Sequence, residues 1–121
     1  MHLFQIGNFS LHSGANARWR IECDALSLHD WVTLALMIRE ILPLYSRVEG
    51  VPRGGIVLAG MLEPYATGQS EDPLLIVDDV WTTGDSMTVH RNGRDAIGAV
   101  VFARKPVDSW VTALFTMAQI S

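Results

Sequence analysis

The run "PLLIVDDV" at residues 73–80 is apolar on consecutive positions and lacks the alternation of a strand with one wet face. Strands that read this way are covered on both faces, as in parallel sheets with helices above and below. "AIGAVVFAR" at 96–104 has the same character, and "GDSMTVHRN" at 84–92, between the two, reads as a helix. Upstream, "LYSRVEGV" at 44–51 reads as a strand and "GGIVLAGML" at 54–62 as a short apolar helix after a glycine turn. Strands alternating with helices predict a mostly parallel, twisted α/β sheet flanked by helices. "SWVTALFTM" at 109–117 reads as a last strand, although Trp110, Leu114 and Met117 would also suit a helix. At 121 residues, with no linker or repeat, the chain is expected to form a single domain over 1–121.

The opening third has a different rhythm. "ARWRIECDA" at 17–25 alternates: Trp19, Ile21, Cys23 and Ala25 on one side, Arg18, Arg20, Glu22 and Asp24 on the other. That pattern predicts a half-buried strand. With the shorter strand and glycine turn of "FSLHSGAN" before it, an N-terminal β-hairpin is expected. Ser27 then starts a helix, with Asp30 as an acidic variant of the capping box. Leu28, Trp31, Ala35, Ile38 and Leu42 recur at helical spacing and are expected to form its buried face, and Pro43 ends it.

Composition narrows the function classes. Of the residues 49% are hydrophobic and 18% charged, which fits a packed globular protein. The net charge is −4 and no Lys or Arg cluster exceeds a pair, which argues against nucleic acid or an anionic membrane as partner. Cys23 is the only cysteine, so no disulfide framework and no cysteine-based zinc site is expected. "MHLFQIGNFS" lacks the basic and apolar regions of a signal peptide, and no apolar stretch is long enough to span a bilayer. A cytoplasmic protein is the expectation.

In open parallel sheets ligands bind beyond the carboxyl ends of the strands. Two loops fall there, "GVPRGG" at 50–55 and "DDVWTTGDS" at 78–86. Free amides at a helix start, with the hydroxyls of Thr82, Thr83 and Ser86, form a cradle for a phosphate, and Gly84 lets the backbone approach closely. Asp78 and Asp79 precede this cradle. Carboxylates so close to a phosphate would instead accept hydrogen bonds from vicinal sugar hydroxyls or face a hydrated Mg²⁺. Standing alone, an acidic pair after a strand is most often a solvated loop start, and "VPRGG" a tight turn. His90 and Arg91 read as a solvated helix face, His29 and Glu40 as surface residues, and the side chains around Trp110 as core.

"LLIVDDVWTTGDSM" resembles the signature of type I phosphoribosyltransferases over about thirteen positions, a strong signal. The resemblance implies that Asp78 and Asp79 hold the ribose hydroxyls of 5-phosphoribosyl-1-pyrophosphate (PRPP). It implies that Thr82, Thr83, Gly84, Asp85 and Ser86 wrap its 5′-phosphate. "GVPRGGIVLA" is similar to the family's pyrophosphate loop, which assigns Pro52, Arg53, Gly54 and Gly55 to the pyrophosphate. Mg²⁺ is then expected mainly on the ligand's own pyrophosphate and ribose, with Asp78 and Asp79 nearby. Gly7, Phe9, Leu11, Ser13 and Gly14 match the opening of orotate phosphoribosyltransferases, a hood over the base, so His12, Ser13 and Arg20 become candidate base contacts. These likenesses imply transfer of a phosphoribosyl group from PRPP to a nucleobase, an orotate-like pyrimidine favoured, in pyrimidine nucleotide metabolism, by a homodimer.

Two departures matter. Orotate enzymes carry a lysine where this chain has His12. They also carry a long segment rich in Lys, Arg and His between the two loops, where this chain has "EPYATGQSEDP" at 63–73, without a cation. A slow enzyme is therefore expected, and the alternative is a non-catalytic PRPP or nucleotide sensor. A Mg²⁺-dependent phosphatase or kinase is disfavoured, since the chain has no Gly-Lys-Ser/Thr loop and no aspartyl nucleophile with a helper.

Overall fold

The computed structural model describes residues 1–10 and 16–117. A hairpin of β1 (Phe4–Ser10) and β2 (Asn16–Ile21) leads into α1 (Leu28–Ile41). There follow β3 (Arg47–Gly50), α2 (Ile56–Leu62), β4 (Leu74–Trp81), α3 (Asp85–Arg91), β5 (Ala96–Ala103) and β6 (Val111–Thr116). The hairpin is antiparallel, and β3-β4-β5-β6 form a four-stranded parallel sheet in that order. The α/β sheet and the N-terminal hairpin are as the sequence predicts, and the last segment is a strand.

The unalternated runs have the cover they require. Leu75, Val77, Ala99 and Val101 pack on α1 and α2, through Trp31, Ala35, Ile38, Leu58 and Leu62. Leu74, Ile76, Ala96 and Val100 join Met87 of α3 on the opposite face. Leu75, Ile76, Val77, Val100 and Val101 are wholly buried, each worth about 1.5–3 kcal/mol of transfer free energy. The steps from β3 to β4 and from β4 to β5 run the same way across the sheet, yet α2 and α3 lie on opposite faces. Two such crossovers have opposite hands, so one is left-handed, an exception among strand–helix–strand units.

Several local expectations are corrected. In α1 the capping box is present, with Ser27 Oγ accepting from Asp30 N and Asp30 accepting from Ser27 N. Leu28 is exposed, however, and Leu34 takes its place on the buried face. Leu28 is the first helical residue and lies at the rim of that face. The strand expected over 17–25 stops at Ile21, because the Glu22 side chain caps a 3₁₀ turn at Cys23–Ala25. β3 is shorter than 44–51. Tyr45 and Ser46 instead offer their carbonyls to Thr67 N and Gly68 N of the 63–73 connection (2.9 Å each). That connection, 3₁₀ at Glu63–Tyr65, closes against the amino ends of β3 and β4, where Ser46 N donates to Pro73 O (2.8 Å). Among the described residues no helix is long and apolar enough to cross a membrane.

His90 and Arg91 are not a solvated face. His90 Nε2 lies 2.9 Å from Glu49 Oε1, and the Arg91 guanidinium sits 4.3 Å from the centre of the Trp110 ring. Arg94 grips Glu49 with two hydrogen bonds (2.9 and 3.0 Å) while donating to the His90 and Arg91 carbonyls that end α3. Glu49 thereby ties β3 to α3. The Arg94 bonds, then that of His90, hold its carboxyl down at about 2 despite partial burial. A depressed carboxylate adds stability above its ordinary range and loses it as pH falls through the folded value. We expect Glu49→Gln to cost about 1 kcal/mol at pH 7, the site being partly exposed to solvent. Thermal melts should show the deficit narrowing as pH falls from 4.5 toward 2. A deficit that does not change with pH would mean that packing, not charge, holds this corner.

Candidate functional site

β3 and β4 are adjacent and parallel, so the loops that follow them, 51–55 and 82–84, leave the same edge of the sheet side by side. Asp78 sits inside β4, paired across to Val100 and only 7% exposed. Its Oδ1 accepts from Asp79 N (2.8 Å), and Asp79 Oδ1 accepts from Val80 N (2.7 Å). Burial, then the Asp79 carboxylate beside it, pushes the Asp78 carboxyl far above the usual range.

The two loops touch through glycine. A Cβ on Gly54 would overlap the Asp79 carboxylate, and one on Gly55 would overlap the Val77 carbonyl and the Val51 backbone. Val51 N donates to Val77 O (2.9 Å) and Gly55 N to Val51 O (2.8 Å), which seats the loop on the tip of β4. The Pro52–Arg53 peptide is cis. Arg53 is exposed, and no salt bridge holds it among the described residues. Its guanidinium is thus available to an oxyanion ligand.

On the second loop, Thr83 Oγ1 accepts weakly from Asp85 N (3.4 Å). Gly84 is left-handed (φ 87°), a conformation that strains any residue with a side chain. The first helical hydrogen bond of α3 runs from Thr88 N to Gly84 O, so the Ser86 and Met87 amides precede it and have no helical acceptor. Asp85 and Ser86 are exposed at this end. Asp78, Asp79, Thr82 to Ser86 and Pro52 to Gly55 therefore share one edge of the sheet.

The base contacts expected in the hairpin fare differently. His12 and Ser13 lie outside the described residues, as do Leu11 and Gly14 of the same motif. Arg20 is engaged within the hairpin: Nε donates to Gln5 Oε1 (2.8 Å), Glu22 lies 3.5 Å away and Phe9 is stacked beneath it. Arg104, which no motif in the sequence marks, follows β5 at the same sheet edge. Its NH1 donates to Trp19 O (2.9 Å) and its guanidinium lies over the Trp19 ring. Burial lowers its basicity, and no carboxylate pairs with it among the described residues. A cation at a strand end was visible in "FARK", but nothing local linked it to the hairpin. Cys23 lies close by: its thiol is pushed up by burial first, then by the nearby Asp79 charge, and stays neutral.

Among the described residues no group of three His, Cys, Asp or Glu side chains is set to hold a metal ion. Two adjacent carboxylates fit a Mg²⁺ that draws most of its oxygens from a ligand.

The parallel sheet with its flanking helices and N-terminal hairpin matches the fold of solved phosphoribosyltransferases. The chain superposes on the orotate phosphoribosyltransferase from Aeropyrum pernix with TM-score 0.71 and 22% identity, over 95% of this chain and 88% of that one. Against UMP synthase of Leishmania donovani the TM-score is 0.75 at 15% identity, over 96% of this chain but 34% of the larger one. A phosphoribosyltransferase from Corynebacterium diphtheriae gives 0.63 at 16% identity, over 83% of each chain. No protein-family model and no curated protein sequence matches the chain.

A raised carboxyl opposes folding once the unfolded chain has lost its proton, so Asp78 lowers stability as pH rises above the ordinary carboxylate range. Asp78→Asn keeps the acceptor for Asp79 N and removes the buried charge. We expect it to raise the melting temperature of the ligand-free protein at pH 8 by a few degrees, on the order of 1–2 kcal/mol. The gain should fade toward pH 4. A variant less stable than the parent at pH 8 would contradict the strain assigned to this acid.

Proposed function

We propose that the protein is a phosphoribosyltransferase that binds PRPP with Mg²⁺ and transfers the phosphoribosyl group to a nucleobase, releasing pyrophosphate. The observation that carries this reading is the seating of Gly54 on the Asp79 carboxylate, which joins a loop suited to pyrophosphate to acids suited to ribose. In the reaction a base nitrogen bonds to ribose C1 as the C1–O bond breaks. Pyrophosphate leaves with the electron pair, and the base N–H proton passes to solvent. Asp78 and Asp79 accept the ribose hydroxyls, the amides and hydroxyls of 82–86 hold the 5′-phosphate, and Arg53 with its loop holds the pyrophosphate. Mg²⁺ would neutralise charge that develops on the leaving group.

An orotate-like pyrimidine is the favoured acceptor, and Arg104 supports it: a half-buried cation with no acidic partner among the described residues suits a base that carries a carboxylate. The homodimer of this reading is supported by exposed apolar side chains next to the pyrophosphate loop, Ile56 and Val57 of α2, with Leu28, Val32 and Leu36 of α1. The non-catalytic PRPP sensor is favoured by one observation, the placement of the cation-free 63–73 connection at the far edge of the sheet.

Calorimetry and pyrophosphate release test these readings together. Changing Asp78 and Asp79 both to Asn should weaken PRPP by on the order of 1–3 kcal/mol for each buried hydrogen bond lost. Equal affinity in parent and double variant would remove the acids from the site. Arg53→Ala should weaken PRPP far more than ribose 5-phosphate, and Arg53→Lys should recover only part of the loss. Arg104→Gln should weaken orotate by about 1.5–3 kcal/mol and leave uracil unchanged. Tight PRPP binding without pyrophosphate release from any base would select the sensor.

A further inference from the structure

Trp81 is the last residue of β4, held in register with Ala103 and by Arg104 N donating to its carbonyl (2.9 Å). Its indole is 3% exposed and belongs to a cluster with Met87 of α3, Val100, Ala103 and Val51, the first residue of the other loop. A Cβ on Gly84 would fall on the ring atoms Cζ2, Cη2 and Cε2, so the edge of the indole bears on the Gly84 backbone from below. Gly84 is itself buried, and the amides of Ser86 and Met87 follow within one helical turn. One rigid ring thus lies beneath the end of the second loop, in the same cluster as Val51 at the start of the other.

We propose that Trp81 is a positioning residue for the phosphate cradle, a prop that sets the height of Gly84 and so the aim of the amides beyond it. The inference rests on the phosphoribosyl reading of that loop. Hydrogen bonds to a phosphate tolerate only a few tenths of an ångström in donor position. A smaller side chain at 81 lets Gly84 sink or leaves an apolar void beneath it, and either displaces the donors. A planar aromatic ring of lesser size keeps the support.

Ribose 5-phosphate is the probe, titrated by calorimetry and by tryptophan fluorescence into the parent, Trp81→Phe and Trp81→Leu, each first shown to be folded by circular dichroism. Trp81→Leu should bind about tenfold more weakly or worse, the scale of a misplaced binding group, while Trp81→Phe stays close to the parent. The parent's emission should change on binding. In Trp81→Phe the emission of Trp19, Trp31 and Trp110 remains but that change should vanish, although calorimetric binding persists. A folded Trp81→Leu that binds like the parent, or a fluorescence change that survives in Trp81→Phe, overturns the inference alone. A parent that does not bind ribose 5-phosphate overturns the phosphoribosyl reading and this inference with it.

Discussion

A carboxyl group taken out of water inside a central strand, with a second carboxyl next to it, is the most expensive arrangement in this protein. Asp78 is buried where β4 lies between β3 and β5. Burial penalises its charge, and Asp79 penalises it again. The amides of Asp79 and Val80 offset part of that cost by donating to the two acids. Neighbouring positions must then be small or neutral. Gly54 leaves room for the Asp79 carboxylate, and the thiol of Cys23 stays protonated beside it. Asp78 lowers stability while its buried charge has no counterpart, and under the proposed function sugar hydroxyls or a cation would supply one. Strain of this kind is kept at sites that use it.

Much of this fold is legible because its rules are local. Two unalternated apolar runs require cover on both faces, and Ser27 with Asp30 marks the start of α1 by a reciprocal pair of hydrogen bonds. The failures are local as well. Periodicity placed Leu28 on the buried face, but a first-turn residue at the rim of a helix meets the core only if something lies beneath it. Alternation through Glu22 to Ala25 looked like more strand, yet a side-chain cap turned the backbone. The opposite hands of the two crossovers are different in kind. No residue encodes them. They emerge only when the faces that bury Leu58 and Met87 are known to be different.

The site divides along the same line. The 78–86 stretch is contiguous, so its chemistry reads directly, and 50–55 gains weight from its place at the end of the preceding strand. Arg20 read as a candidate base contact because it is a cation in the hairpin, but Gln5, Glu22 and Phe9 engage it there. Arg104 and Trp81 were visible as letters without roles. One acquires a role from a hairpin residue 85 positions away, the other from a glycine whose missing Cβ makes space for its ring. The contact between Arg104 and Trp19 leaves no spacing pattern to find.

The connection between the loops decides how binding and rate divide. Residues 63–73 join the carboxyl end of α2 to the amino end of β4 and are tied there by Thr67, Gly68 and Pro73. From Pro73 to Thr82 the chain runs the eight residues of β4, about 26 Å at 3.3 Å per residue. Even a cation placed in this connection would lie at the wrong end of the strand. In the proposed reaction, charge growing on a leaving pyrophosphate would therefore have to meet Arg53, the loop amides, Mg²⁺, or a group from a second subunit. The first two act on bound PRPP before any bond breaks, and interactions equal in ground and transition states leave the chemical barrier unchanged. Within the proposed function, this arrangement favours holding PRPP over speeding its reaction. On the proposed reading, the difference between enzyme and sensor would then rest on what a second copy could bring to the edge where Ile56 and Val57 lie exposed.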